Sequence, residues 1–120
     1  IWSPLAPGIL SGKYTNSGVE GTRLAMEGLE WLKDRTLAAD RMEKANALQQ
    51  LANSLDVSLA KLSIAWCLKN PNVSTVILGA SKVPQLQENL QVLEVLPLLT
   101  DDVVAKIEAI VKTKPVVPQF

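Results

Sequence analysis

Residues 74–90 read STVILGASKVPQLQENL, and the rest of the chain is organised around them. Thr75, Val76, Ile77 and Leu78 have the composition of a strand buried on both faces. Gly79, Ala80 and Ser81 interrupt it with small residues that let a ligand approach the backbone closely. Pro84 suits the first turn of a helix, along which Leu86, Leu90 and Leu93 recur at i, i+4 and i+7. A strand, a tight turn and a helix N-terminus together form an anion site, because unpaired N–H groups and the positive dipole end point the same way. The same pattern also reads as one ordinary βα unit that holds nothing. It is not a P-loop, since no Lys-Ser/Thr pair closes a GxxxxGK signature.

Upstream of this unit, Ser58 is a good N-cap for a helix over 59–69, which is apolar around most of its circumference and therefore sits between layers. Asn70, Pro71 and Asn72 end it. A further helix is predicted over 37–55, with Met42, Ala45, Leu48 and Ala52 on its apolar face. Between 23 and 37 the pattern is mixed, and Met26, Leu29 and Leu32 predict a short helix with Trp31 beside them. The polar, Gly-bearing run 15–22 is the expected mobile segment. Residues 1–14, IWSPLAPGILSGKY, read as a strand end opening into a loop that packs over something, because Pro, Gly and apolar residues dominate it. Downstream, Pro97 closes an apolar stretch. Thr100 caps a last amphipathic helix with Val103, Val104, Ile107, Ile110 and Val111 as its buried stripe, and the end of the chain is a tail.

The order strand-end, loop, helices, strand, helices calls for an α/β fold with right-handed crossovers. Two strands leave both edges unpaired, so partner strands are expected from elsewhere, and Ile1 reads as the end of a strand begun upstream. The chain is therefore expected to be a piece of a longer protein.

With 120 residues, 48% of them hydrophobic, and a formal net charge of +0, the composition is that of a globular domain with no electrostatic case for nucleic acid or an anionic membrane. Its apolar runs fall short of the roughly 20 residues that cross a bilayer. The opening shows no basic, signal-like region. One cysteine, Cys67, excludes an internal disulfide and favours a reducing compartment; it reads as a small buried hydrophobe. Without any histidine, His-based triads and His-ligated metal sites cannot be built from these residues.

Over nearly its whole length the chain resembles the C-terminal third of an aldo-keto reductase, most closely the branch that contains the β subunits of voltage-gated potassium channels. The motifs that carry this are Trp2-Ser3-Pro4-Leu5-Ala6, then Gly8 and Ser11-Gly12-Lys13-Tyr14. Glu30-Trp31-Leu32-Lys33-Asp34, Ile64-Ala65-Trp66-Cys67-Leu68 and Leu78-Gly79-Ala80-Ser81 follow in order, with Gln85, Glu88 and Asn89. The resemblance implies the C-terminal portion of a (β/α)₈ TIM barrel: the end of strand seven, a long cofactor loop, helices, strand eight and terminal helices. All of 1–120 would belong to that single barrel domain. In such barrels the loops after strands seven and eight form a common phosphate site.

The resemblance also implies roles. Trp2 would stack on a nicotinamide, and Ser3, Pro4, Leu5, Ala6, Pro7 and Gly8 would line the pyrophosphate path. Ser11 and Lys13 would clasp the phosphates from the loop. Arg23 would meet the adenosine 2′-phosphate, for which a planar cation is suited. Gly79 and Ser81 would approach the same phosphate, with Gln85, Glu88 and Asn89 holding ribose and adenine edges. The set favours NADP as cofactor. Two departures bear on it: Pro7 stands where relatives often carry a small or sulfur-bearing residue, and Gly21 replaces an aromatic residue at an adenosine-side contact. The family's catalytic Asp, Tyr, Lys and His lie in the first two-thirds of the barrel, so no catalytic residue and no metal ligand is assigned here.

The implied activity is the cofactor-binding part of an NADPH-dependent cytoplasmic oxidoreductase that reduces aldehydes or ketones. Its partners would be a small carbonyl substrate and the rest of the same barrel, with no nucleic acid and no direct membrane insertion. The competing expectation is an NADP-sensing cytosolic β subunit of a voltage-gated potassium channel, forming a homo-tetramer on the channel α subunit. A third is a truncation that binds nothing.

Overall fold

The computed structural model describes residues 1–14, 18–116, 118 and 119. Among them six α-helices follow one another: α1 Glu30–Thr36, α2 Ala39–Ser54, α3 Leu59–Lys69, α4 Val83–Leu90, α5 Val92–Val95 and α6 Asp101–Val111. Single 3₁₀ turns occupy Arg23–Ala25 and Leu96–Leu98, and the 3₁₀ stretch Ala6–Ser11 is kinked at Pro7 and Gly8, whose backbone is not helical. No helix among the described residues is long and apolar enough to cross a membrane.

α3 is the middle of the structure. Its start is fixed by Ser58, whose hydroxyl accepts from the Lys61 N–H at 3.2 Å, and Asp56 just before it takes a left-handed turn at φ 55°. Leu59, Leu62, Ile64 and Ala65 are buried almost completely, but the burial expected all round is not met: Trp66 is exposed and Cys67 and Leu68 are only half-buried. Around them α2 contributes Leu48 and Ala52, α5 Val92 and Val95, and α6 Val103 and Ile107. Each large aliphatic side chain closed off in this way contributes about 2 kcal/mol. The Ser58 cap matters because it sets where this central helix begins. Ser58→Ala is expected to destabilise the protein by about 1 kcal/mol, read as a lower thermal midpoint. α6 is held likewise by Thr100, whose hydroxyl accepts from Val103 N–H at 3.4 Å.

A smaller cluster of Ile9, Tyr14, Leu24, Leu32 and Ala45 sits under the loop of the first fourteen residues. That loop packs against the helices, with its 3₁₀ turn against α1, α2 and α3.

Three expectations need correction. The strand expected at 73–78 is not part of a sheet, and no strand occurs among the described residues. A sheet strand needs a ladder, and among the described residues this segment pairs across only with Ile1. Ile1 N–H donates to Thr75 O at 2.9 Å and Ile77 N–H to Ile1 O at 2.9 Å. One residue bonding to the two neighbours of a facing residue is the parallel-ladder pattern, so Ile1 stands opposite Val76 in parallel register.

The short helix begins at Glu30, later than the apolar spacing implied, and leaves Met26 and Trp31 exposed. Glu30 helps set that start. Hydrogen bonds from its own backbone N–H and from Gly28 N–H (3.2 Å) hold its carboxyl below the ordinary glutamate range. The helix predicted from Leu37 starts at Ala39, because Leu37 still bonds back to Lys33 O and closes α1.

Of the run expected to be mobile, residues 15–17 lie outside the described residues, as does 117 in the tail. The remainder is turned back on itself. Thr22 N–H and Oγ1 both donate to Val19 O, at 3.0 and 2.6 Å.

Candidate functional site

The parallel register of Ile1 and Val76 decides what lies beside what. Running on in the same direction, Trp2 and the loop after it leave one segment while Leu78 and Gly79 leave the other, so both emerge at one rim. There they line a single groove of about 400 Å³. One wall is the run Trp2, Ser3, Pro4, Leu5, Ala6, Pro7 and Gly8. Gly79, with Ile77 and Leu78, forms the other wall, Asn89 closes it from α4, and Arg23 reaches in from its 3₁₀ turn.

The loop wall is coiled tightly. Ala6 N–H bonds to Ser3 O at 3.0 Å and Gly8 N–H to Leu5 O at 2.9 Å. Ser3 and Ala6 both lie in the left-handed region, at φ 54° and 44°. For residues with a Cβ this costs on the order of 1 kcal/mol each, and such strain collects at ligand-holding segments. Gly8, at φ 95°, is where the backbone favours a glycine; a Cβ there would also stand 2.9 Å from Lys13 Cε, the flexible end of that side chain. The Lys13 stem lies across Gly8, and its ammonium sits 5.1 Å from the centroid of the Tyr14 ring. Tyr14 is buried and its hydroxyl donates to Pro7 O at 3.4 Å, tying loop end to loop start.

The groove's chemistry follows from its lining. Trp2 is 80% exposed, so a whole indole face is offered to a planar ligand. Arg23 is the cation of the lining, and no carboxylate is among the lining residues. At Gly79 an added Cβ would meet nothing within 4 Å, so its backbone is open to close approach. A flat, negatively charged ligand suits this combination.

Not every candidate residue lies on the groove. Ser11 Oγ donates to Gly8 O at 2.7 Å and braces the loop from behind. Lys13 is in reach of the groove through Gly8 without lining it. Ser81 and Gln85 turn towards each other. The Gln85 amide oxygen accepts from Ser81 N–H at 2.9 Å, Lys82 N–H at 3.1 Å and Ser81 Oγ at 3.2 Å. The donors expected for an anion at the start of α4 are thus held by a side chain of the same helix. A Gln three residues into a helix is a capping signal that the sequence carried. Glu88 is half-buried and Asn89 buried. Sequence reasoning also missed Ile77 and Leu78 as groove walls, since both read as plain strand residues.

Residues 1–112 match the model of the family described as the Aldo/keto reductase family. A protein of Oryza sativa subsp. japonica named "Probable voltage-gated potassium channel subunit beta" is 51% identical over 115 residues, which is 95% of this chain and 35% of that protein. A protein of the same name from Arabidopsis thaliana is 45% identical over 119 residues, 98% of this chain and 36% of that one. The chain thus spans about a third of the length of these curated relatives.

Proposed function

The chain belongs to the aldo/keto reductase family, and on that footing we propose that it is the cofactor-gripping part of a cytoplasmic enzyme that reduces aldehydes or ketones with NADPH. In this reading Ile1 and Trp2 end strand seven, residues 74–78 are strand eight, and the groove is the C-terminal rim of a (β/α)₈ barrel, where such folds place their chemistry. The observation that carries it is the meeting of Trp2–Gly8, Arg23 and Gly79, far apart in sequence, around one groove lined by a cation and no carboxylate.

The bound dinucleotide would supply the hydride. Everything the chain does is binding and orientation. Trp2 presents its ring to the nicotinamide and fixes which face is turned to the substrate. The coiled run from Ser3 to Gly8 follows the pyrophosphate, and Lys13 adds positive charge from above Gly8. Arg23 meets the 2′-phosphate beside Gly79, which is why NADPH is preferred to NADH. Asn89 faces the adenosine end, and Ser81, Gln85 and Glu88 form the second rank, with Gln85 able to release its three donors to a ligand. The proton for the carbonyl oxygen would come from the Asp, Tyr, Lys and His set that the family resemblance implies for the rest of the barrel; Tyr14 is buried, with its hydroxyl on Pro7 O.

Arg23→Ala in the full-length protein is expected to weaken NADPH about tenfold, as loss of a charge-assisted contact does, and to leave NADH within a factor of two. Lys13→Ala should weaken both nucleotides alike, because pyrophosphate is common to them. Titration of intrinsic tryptophan fluorescence measures both. Equal loss of NADPH and NADH in the Arg23 variant would remove that residue from the 2′-phosphate.

The names of the rice and Arabidopsis relatives favour a second reading, in which the same groove senses NADP within a potassium-channel β subunit that assembles as a tetramer. Turnover separates the two. Aldehyde-dependent NADPH oxidation by the purified full-length protein supports the reductase, whereas tight NADPH binding without turnover, together with co-purification of a channel α subunit, supports the sensor.

A further inference from the structure

A second cavity, of about 440 Å³, lies between the loop and helices α2, α3 and α6 and shares Pro4 and Ala6 with the groove. Its size is within the roughly 300–1,000 Å³ typical of small-molecule sites. Leu48, Leu62, Ile107 and Val111 make its floor apolar. The polar groups there are committed elsewhere or uncharged. Ser63 Oγ donates to Leu59 O at 2.7 Å, and burial pushes the Cys67 thiol above its ordinary pKa, so the sulfur presents a neutral, soft wall.

The mouth differs in kind from the floor. Asp40, Arg41 and Lys44, all from the first turns of α2, line it. Among the described residues neither Arg41 nor Lys44 has a carboxylate within ion-pair distance. Two cations against one acid leave a single positive charge over an apolar chamber. The N-cap of α2 is Ala38, which offers no side-chain acceptor, so the positive end of the helix adds to that field.

We propose that this cavity binds a medium-chain monocarboxylate, with its alkyl chain on the Leu48–Leu62–Ile107 floor and its carboxylate between Arg41 and Lys44. A linear chain matches a floor without hydrogen-bonding groups to satisfy, and burying it is favourable by area alone. A single negative charge matches the net charge of the mouth. A doubly charged head would face Asp40, and an uncharged or cationic head would leave Arg41 and Lys44 unanswered. None of the residues invoked lines the groove, and what the two share is the loop wall at Pro4 and Ala6.

The test uses full-length protein and three ligands of equal chain length: decanoate, decan-1-ol and decylamine. Binding is measured by calorimetry, and occupancy by the rate at which N-ethylmaleimide alkylates Cys67, followed on its own peptide by mass spectrometry. Decanoate is expected to bind and to slow Cys67 alkylation, with the alcohol about fivefold weaker, the scale of a partly exposed ion pair, and the amine weaker still. In the Arg41→Ala/Lys44→Ala protein the acid and the alcohol should bind alike. Both substituted side chains stand at the mouth, so the variant keeps its fold, and an unchanged thermal midpoint verifies this. Equal affinity for acid and alcohol in the parent protein overturns the proposal. So does undiminished preference for the acid in the double variant, or Cys67 alkylation that decanoate does not slow, which would mean that other parts of the protein fill the chamber.

Discussion

Gly79→Val in the full-length protein is expected to weaken NADPH binding by about 2 kcal/mol, roughly thirtyfold, while its thermal midpoint stays in place. The two halves of this expectation come from one measurement. A Cβ at residue 79 has nothing within 4 Å, so the fold of this chain does not ask for glycine there. Backbone conformation does not ask for it either, since Gly79 is not among the positive-φ glycines. What a side chain would remove is the open space in the groove wall across from Ser3–Gly8, where the proposed 2′-phosphate end lies. Gly8→Ala is the informative contrast, because there the backbone itself favours glycine, at a φ of 95° that side chains rarely adopt. That variant should lose stability and binding together. If Gly79→Val binds NADPH as the parent does, no ligand approaches that backbone and the nucleotide reading fails at its centre.

The contrast between these glycines shows what could be read from the sequence. Local signals worked where one residue answers to its neighbours. Ser58 before an apolar run and Asn70-Pro71 after it bound α3 to Leu59–Lys69, and Thr100 before two aspartates started α6. Both are hydrogen-bond arithmetic at helix ends, complete within four residues. The groove was legible differently. No periodicity places Trp2 next to Gly79, but two parallel segments with helices between them must deliver their ends to the same side, and Ile1 opposite Val76 meets that requirement. Gln85 escaped attention as a capping group because a polar residue facing a phosphate and one facing its own helix start have the same spelling. The cavity behind the loop was illegible for a deeper reason. Its floor comes from three helices whose apolar faces each announce burial, and no pattern within one helix tells whether the three faces meet completely.

Leu90→Gln in the full-length protein is expected to cost about 3 kcal/mol, the sum of a lost apolar side chain and a buried amide without partners. In this chain alone the expectation looks perverse, since Leu90 is 62% exposed. It is not alone there. Val83, Leu86, Leu90 and Leu93 are all exposed along α4 and α5, at 68, 45, 62 and 66%. A surface helix puts polar residues on its outward side, and a contiguous apolar stripe turned outward marks a face that something covers. The backbone gives the same indication a few residues earlier. Residues 73–78 make a single parallel step to Ile1, and the exposed Ile77 belongs to a segment whose pairing is left incomplete. Both lacks are met at once if the further two-thirds present in the curated relatives supply neighbouring strands and helices. Gln87→Ala, on the exposed polar side of α4, is the control and should stay within about 0.5 kcal/mol of the parent. Chemical denaturation of both variants decides it: if Leu90→Gln is as mild as Gln87→Ala, the leucine stripe faces water in the whole protein, and the closing of this chain into a larger barrel along that face is wrong.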